Sequence, residues 1–169
     1  AHILRGMGHS CFWMAGQLDA PAEISHTVPL AFFNHPEVAE VQSTLFGVAF
    51  RTRAVTNQIQ SIKERLKDDL YLFIQKFQLE VLLPENILAI PMHVPLGLAM
   101  TEVIAETTIP IIAHHHDFVW ERERFTLNAV NDYLQAAFPP LLHDMEHVVI
   151  NSMQQKELAR RLGIPSQVI

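Results

Sequence analysis

Short apolar runs alternate along this chain with segments in which apolar residues recur every three or four positions. That alternation predicts an α/β fold with a mainly parallel sheet, because each buried strand must be joined to the next through a crossover helix. Residues 1–7 read as the last turns of a helix, with Gly8 as its C-cap. Residues 10–15 form an apolar run closed by Gly16 and predict a strand, and residues 17–33, with two prolines and mixed polarity, predict a long loop. Asn34-His35-Pro36-Glu37 is a helix start, with Asn able to cap and Pro suited to the first turn, and apolar positions carry that helix to about Phe50. Val55, Ile59, Ile62, Leu66, Leu70, Phe73 and Phe77 predict a longer helix with a solvated face at Lys63–Asp68.

Strands are expected at 79–83, 109–113 and 147–150, with helices at 96–106 and 127–138 between them. Ser152-Met153-Gln154-Gln155 has the form of a capping box, so Ser152 is expected to cap a helix that ends at Gly163. Gln167-Val168-Ile169 opens a further strand. The chain thus reads as a single domain, 1–169, truncated at both ends.

Composition narrows the function classes. With 49% hydrophobic and 18% charged residues, 169 residues can bury one ordinary core. A net charge of −6 excludes a general nucleic-acid binder, which needs a basic face. The single cysteine, Cys11, lies in an apolar run; it forms no internal disulfide and fits a reducing, cytoplasmic location. The longest apolar stretch, residues 87–100, is broken by Pro91 and Pro95, and nothing in the sequence indicates membrane association. Neither a P-loop, nor Gly-x-Gly-x-x-Gly, nor a Gly-x-Ser-x-Gly elbow is present.

Polar residues directly after buried strands carry the chemistry, since ligands of parallel α/β sheets bind outside the carboxyl ends of the strands. Four groups qualify: Gly16-Gln17, Glu85-Asn86, His114-His115-His116-Asp117 and Asn151-Ser152. The histidine run admits three readings: a sugar- or phosphate-binding strand end, a packed ring flanked by solvated ones, or a metal site. On an extended chain only His114 and His116 share a face, and no second cluster with ligand spacing is apparent, so no metal is assigned. Downstream, Glu121 and Arg122 could orient a cleft residue or meet an anion, or form part of a solvated charged face with Glu123 and Arg124. Trp120 is a core anchor or a sugar-stacking ring, and Asn86 is either a turn residue or a hydroxyl-binding amide.

Residues 1–16, the stretch Pro110–Asp117 and the segment His147–Ile169 resemble, in order and spacing, the N-terminal domain of retaining GT-B glycosyltransferases of family 4. The resemblance implies a Rossmann-like three-layer domain, one half of a two-domain architecture. This half would receive the acceptor, while a C-terminal domain outside this sequence would hold most of the nucleotide-sugar donor. It implies that His116 lies beside the transferred sugar as a catalytic group. His115, Asp117, Asn86, Glu121 and Arg122 are then the expected substrate-binding residues. No cofactor is expected, the acceptor is unspecified, and the chain alone is expected to be inactive. The competing readings are a stand-alone binding module of flavodoxin-like type and a metal-dependent hydrolase built on the histidines.

Overall fold

The computed structural model describes residues 2–169. Its elements follow in the order α1 (His2–Gly6), β1 (Trp13–Ala15), β2 (Ser25–Thr27), α2 (Pro36–Gln42), α3 (Arg53–Phe77) and α4 (Val94–Glu106). After these come β3 (Ile111–His115), α5 (Asn131–Ala137), β4 (Met145–Val149), α6 (Ser152–Leu162) and β5 (Gln167–Val168). All pairings between these strands are parallel: β1 with β2 in one small sheet, and β3-β4-β5 in another. The α/β class and parallel sheet therefore stand as expected, in the arrangement of a Rossmann-like domain.

The expected strand at 79–83 is displaced to 82–86, where it runs parallel to β3 on the side away from β4. Leu82 N donates to Pro110 O and Ile112 N to Leu82 O; further along, His114 N donates to Pro84 O and Asn86 N to His114 O. Pro84 has no N–H to give the bond in between, so two isolated bridges replace a continuous ladder. β3 itself lies two residues later than the expected 109–113, so His114 and His115 belong to the strand and His116 is the first residue beyond it.

Two expected helices are shorter. α2 stops at Gln42, where the hydroxyls of Ser43 and Thr44 bond back to Glu40 O and Val41 O at 2.7 Å each, competing with further helix. The next residues pair antiparallel with the segment before α5: Gly47 N reaches Leu127 O and Ala129 N reaches Leu45 O. That pairing withholds 127–129 from the helix expected at 127–138, which begins at Asn131 instead. The supposed loop 17–33 contains β2. α6 is capped by Asn151, whose Oδ1 accepts Gln154 N at 2.9 Å, and Ser152 is the first helical residue, not the cap.

α3 runs 25 residues, capped by the Thr52 hydroxyl, and buries Ile59, Ile62, Leu66, Leu70 and Phe73 as one stripe. It packs on α4, which is apolar on nearly every side and buried from Val94 to Met100. Lys63 and Lys67 of α3 reach Glu102 of α4, and Lys67 and Tyr71 reach Glu106, fixing the two helices along their polar margin. A Cβ at Gly97 would fall 2.2 Å from the Phe138 ring, so a glycine is required for α4 and the end of α5 to close together. The principal core includes Val38, Leu45, Leu66, Leu88, Val103, Ile111 and Ala113. A smaller cluster of Ala89, Phe118, Val149, Leu158 and Ile164 supports the chain just beyond β3.

Candidate functional site

The side chains of β3 alternate, and that alternation divides the histidine run. Ile111, Ala113 and His115 are buried, whereas Ile112 and His114 take the more open face. His115 is 1% exposed. Its Nε2 lies 2.9 Å from Nδ1 of His147 on β4, and its ring packs on Phe118. Nδ1 of His115 is buried without a partner, so the less costly tautomer leaves a lone pair there and donates Nε2–H to His147. Burial, reinforced by the neighbouring imidazole, pushes His115 down to about 3; burial pushes His147 down to about 4. Both rings are therefore neutral at neutral pH. His115, expected at the substrate surface, is a core residue: its parity along β3 points it inward.

The remaining expected residues gather at the carboxyl end of β3. His114 Nδ1 and His116 Nε2 each donate to Oε1 of Glu85, at 2.6 and 2.7 Å, and the two rings stand 4.6 Å apart. Asn86 organises the turn that follows. Its Oδ1 accepts the His116 backbone N–H at 2.9 Å, and its Nδ2 donates to Asp117 Oδ1 at 2.8 Å. Asn86 does so from a left-handed backbone, φ +57°, which asparagine tolerates better than most residues. Asp117 in turn receives Arg122 Nε at 2.7 Å.

Glu121 is an exposed residue whose carboxylate folds back onto the turn. Its Oε2 accepts the Phe118 backbone N–H at 2.7 Å and Gln154 Nε2 at 3.2 Å, and Gln154 Nε2 also donates to His116 O at 2.8 Å. The backbone N–H groups of 116–118 and the His116 carbonyl are thus bonded by the side chains of Asn86, Glu121 and Gln154, so the backbone is held from both flanks. Trp120 stacks on Phe118 with centroids 4.5 Å apart and the rings 6° from parallel, under the guanidinium of Arg161. Of the two roles open to Trp120, this position is the packing one.

Of the four strand-end groups, three meet: Glu85-Asn86, the histidine run with Asp117, and Asn151 through the helix it starts. Gly16 belongs to the other sheet and lies against the backbone of Phe32. Two contributors gain roles that the sequence does not assign. Glu85 stands beside Asn86 among the strand-end groups, and the fold makes it the bridge partner of His114. Gln154 was read as part of a helix cap, and only the tertiary fold reveals that its amide reaches His116.

Exposure separates the roles. His116 and Glu85 are open to solvent, at 48% and 60%, whereas Asp117 and His114 are mostly covered. The rim therefore presents the His116 imidazole, the Glu85 carboxylate and the Arg122 guanidinium beside a braced turn, able to exchange hydrogen bonds with a hydroxyl-rich ligand. Among the described residues no helix is long and apolar enough to cross a membrane.

No family model matches the chain, and no solved structure matches it. Two curated proteins do. The chain is 28% identical over 170 residues to a mannosylglucosylglycerate synthase of Thermotoga maritima, an alignment covering 99% of this chain and 38% of that protein. It is 38% identical over 99 residues to a mannosylglucosylglycerate synthase of Petrotoga mobilis, covering 56% of this chain and 22% of that protein. The chain thus spans well under half the length of the curated relatives it matches, and it is similar to synthases rather than to hydrolases.

Proposed function

We propose that this chain is the acceptor-side domain of a glycosyltransferase that draws its sugar from a nucleotide-activated donor. The observation that carries the reading is the alignment with a sugar-transferring synthase along 99% of the chain, the turn after β3 included. The convergence of His116, Asp117, Asn86, Glu121 and Arg122 on one rim supports it, since the carboxyl ends of parallel strands are where such domains bind ligands. The relatives' name makes an activated mannose the first donor to try and a glucosylglycerate the first acceptor. In this reading His116 faces the sugar from the rim. Asn86, Glu121 and Asp117 act behind it, setting the turn, and Arg122 is held by Asp117 at the margin, where it can meet an anionic group. Most of the donor site is supplied by sequence of the kind that makes up the rest of the longer relatives, so residues 1–169 alone are inactive. The GT-B architecture and membership of family 4 belong to the same proposal.

The test is transfer of mannose from its nucleotide diphosphate to glucosylglycerate by the longest natural polypeptide carrying this domain. Transfer is expected there, and His116→Ala should lower turnover by ~10²-fold, the scale of one lost transition-state interaction. The melting temperature should scarcely move, because an exposed rim residue carries little packing. Absence of transfer across a panel of nucleotide sugars and glycerate acceptors would overturn the reading. So would binding of a nucleotide sugar to residues 1–169 alone with Kd of ~1 μM or tighter, which would put the donor site in this domain.

A further inference from the structure

We infer that Glu85, His114 and His116 form a binding site for a divalent transition-metal ion of the zinc, cobalt or nickel class. The sequence stopped at two histidines for want of a third ligand; Glu85, 29 residues before His114, supplies it from the parallel segment alongside. The inference concerns the cluster itself and holds whether or not the domain serves sugar transfer.

Three features carry it. First, the two-residue spacing of His114 and His116 across the end of β3 sends both rings to the same face, and the parallel neighbour brings Glu85 opposite His114, so the ligands come from two hydrogen-bonded segments. Second, one ligating atom from each of the three side chains lies within 4.8 Å of the others. Ligands about 2.1 Å from a tetrahedral zinc stand roughly 3.4 Å from one another. The nitrogens now 2.6 and 2.7 Å from Glu85 Oε1 therefore need to part by less than about 1 Å to admit a cation. Third, the site is open on one side: Glu85 and His116 are solvent-exposed, so an ion can enter and a fourth position remains for water or substrate.

Two imidazoles and one carboxylate suit borderline cations and are a poor match for magnesium or calcium, which favour all-oxygen shells. The turn behind the site is already fixed, because Asn86 and Gln154 hold the backbone of His116. Little reorganisation would thus oppose binding. A cation there would replace the protons that His114 Nδ1 and His116 Nε2 now share with Glu85, and offer its open position to a sugar hydroxyl in place of the imidazole.

The experiment is titration of the metal-free protein with cobalt(II), followed by visible absorption and by calorimetry, with zinc in competition. One equivalent should bind with Kd of ~10 μM or tighter and produce the intense visible bands of four-coordinate cobalt. Glu85→Gln, whose amide oxygen can still accept the histidine hydrogen bonds, should weaken binding at least ~10-fold, and His116→Ala likewise. His2→Ala/His9→Ala, far from the cluster in sequence, should leave binding unchanged. Binding lost in that double variant but retained in Glu85→Gln and His116→Ala would overturn the site, as would failure to bind a stoichiometric equivalent. Because the readout is spectroscopic, neither outcome depends on whether sugar is transferred.

Discussion

Asn86 is the residue on which the rim turns, and its replacement offers a graded test. In Asn86→Gly the left-handed backbone is retained, while the side-chain bonds are lost: one from the His116 amide, one to the Asp117 carboxylate and a long one, 3.5 Å, from the Asp117 amide. A neutral hydrogen bond contributes about 1 kcal/mol and one to a charged group roughly 1.5–3 kcal/mol. The site is only part-buried, so the lower end applies, and the glycine adds some unfolded-chain entropy; a loss of about 2–3 kcal/mol is expected. Asn86→Ala loses the same bonds and must also hold φ +57° with a Cβ. That strain exceeds the entropy it saves, so alanine should be worse than glycine by about 0.5–1 kcal/mol. Asn86→Asp keeps an acceptor for His116 but sets a carboxylate where Nδ2 stood, 2.8 Å from Asp117 Oδ1, and should be the least stable of the three at neutral pH. Urea unfolding measures all three; for a domain of this size 2–3 kcal/mol corresponds to roughly 5–10 °C in melting temperature. An alanine variant more stable than the glycine variant, or a glycine variant indistinguishable from the parent, would refute the account of the turn.

Two further outcomes follow from the core. Gly97→Ala should destabilise by roughly 1–3 kcal/mol or more, read as a lower urea midpoint, because the added methyl meets the buried Phe138 ring; a neutral result would show that α4 and α5 are not locked together. Stability should also fall on mild acidification through His93. Its Nε2–H donates to Leu30 O at 2.9 Å, and its Nδ1 accepts Leu96 N as the cap of α4, so a second ring proton would abolish the cap. Burial, aided little by nearby His35, holds this imidazole below its ordinary value, so the unfolded chain takes up the proton first. The contribution is complete above about pH 6.5 and is lost as the pH drops from there toward the lowered folded value. Unfolding midpoints at several pH values, for the parent and His93→Gln, should diverge less in acid than at neutrality; parallel profiles would exclude His93 as a source of acid sensitivity.

The fold class was legible because strand and helix periods differ so plainly in this chain: 53–77 carries an unbroken helical stripe, and the apolar run at 148–150 marks the strand expected at 147–150 and found at Met145–Val149. Boundaries failed where local chemistry intervened. Ser43 and Thr44 end α2 by bonding their own turn, and residues 127–129 are drawn into a pairing with 45–47 that no local pattern announces. The rim was legible as a neighbourhood, since strand ends converge in any parallel sheet, but not in its assignments. A two-residue error in the start of β3 makes His115 look exposed; the register sets it opposite Val149, where its ring reaches His147 diagonally within the core. Gln154 was invisible for a different reason: its partner lies 38 residues away, and sequence shows helix caps more readily than tertiary hydrogen bonds.

The three consecutive histidines also carry a consequence for how such domains diverge. Along a strand, neighbouring positions belong to different environments, so a one-residue insertion or deletion ahead of the run exchanges inside for outside. In most strands the result is a hydrophobic residue in water and a polar one in the core. Here a shift of one still delivers a histidine to the buried place opposite Val149, because the residues on either side of His115 are the same as it. The interior would hardly register the change, while the outer face would lose its pair and keep a single imidazole. Comparison of letters cannot tell which histidine of a related run is the inner one, since a gap can be slid through the repeat at no cost. The partner on the adjacent strand can: the histidine that answers His147 is inside, and those flanking it are the outward pair beside Glu85.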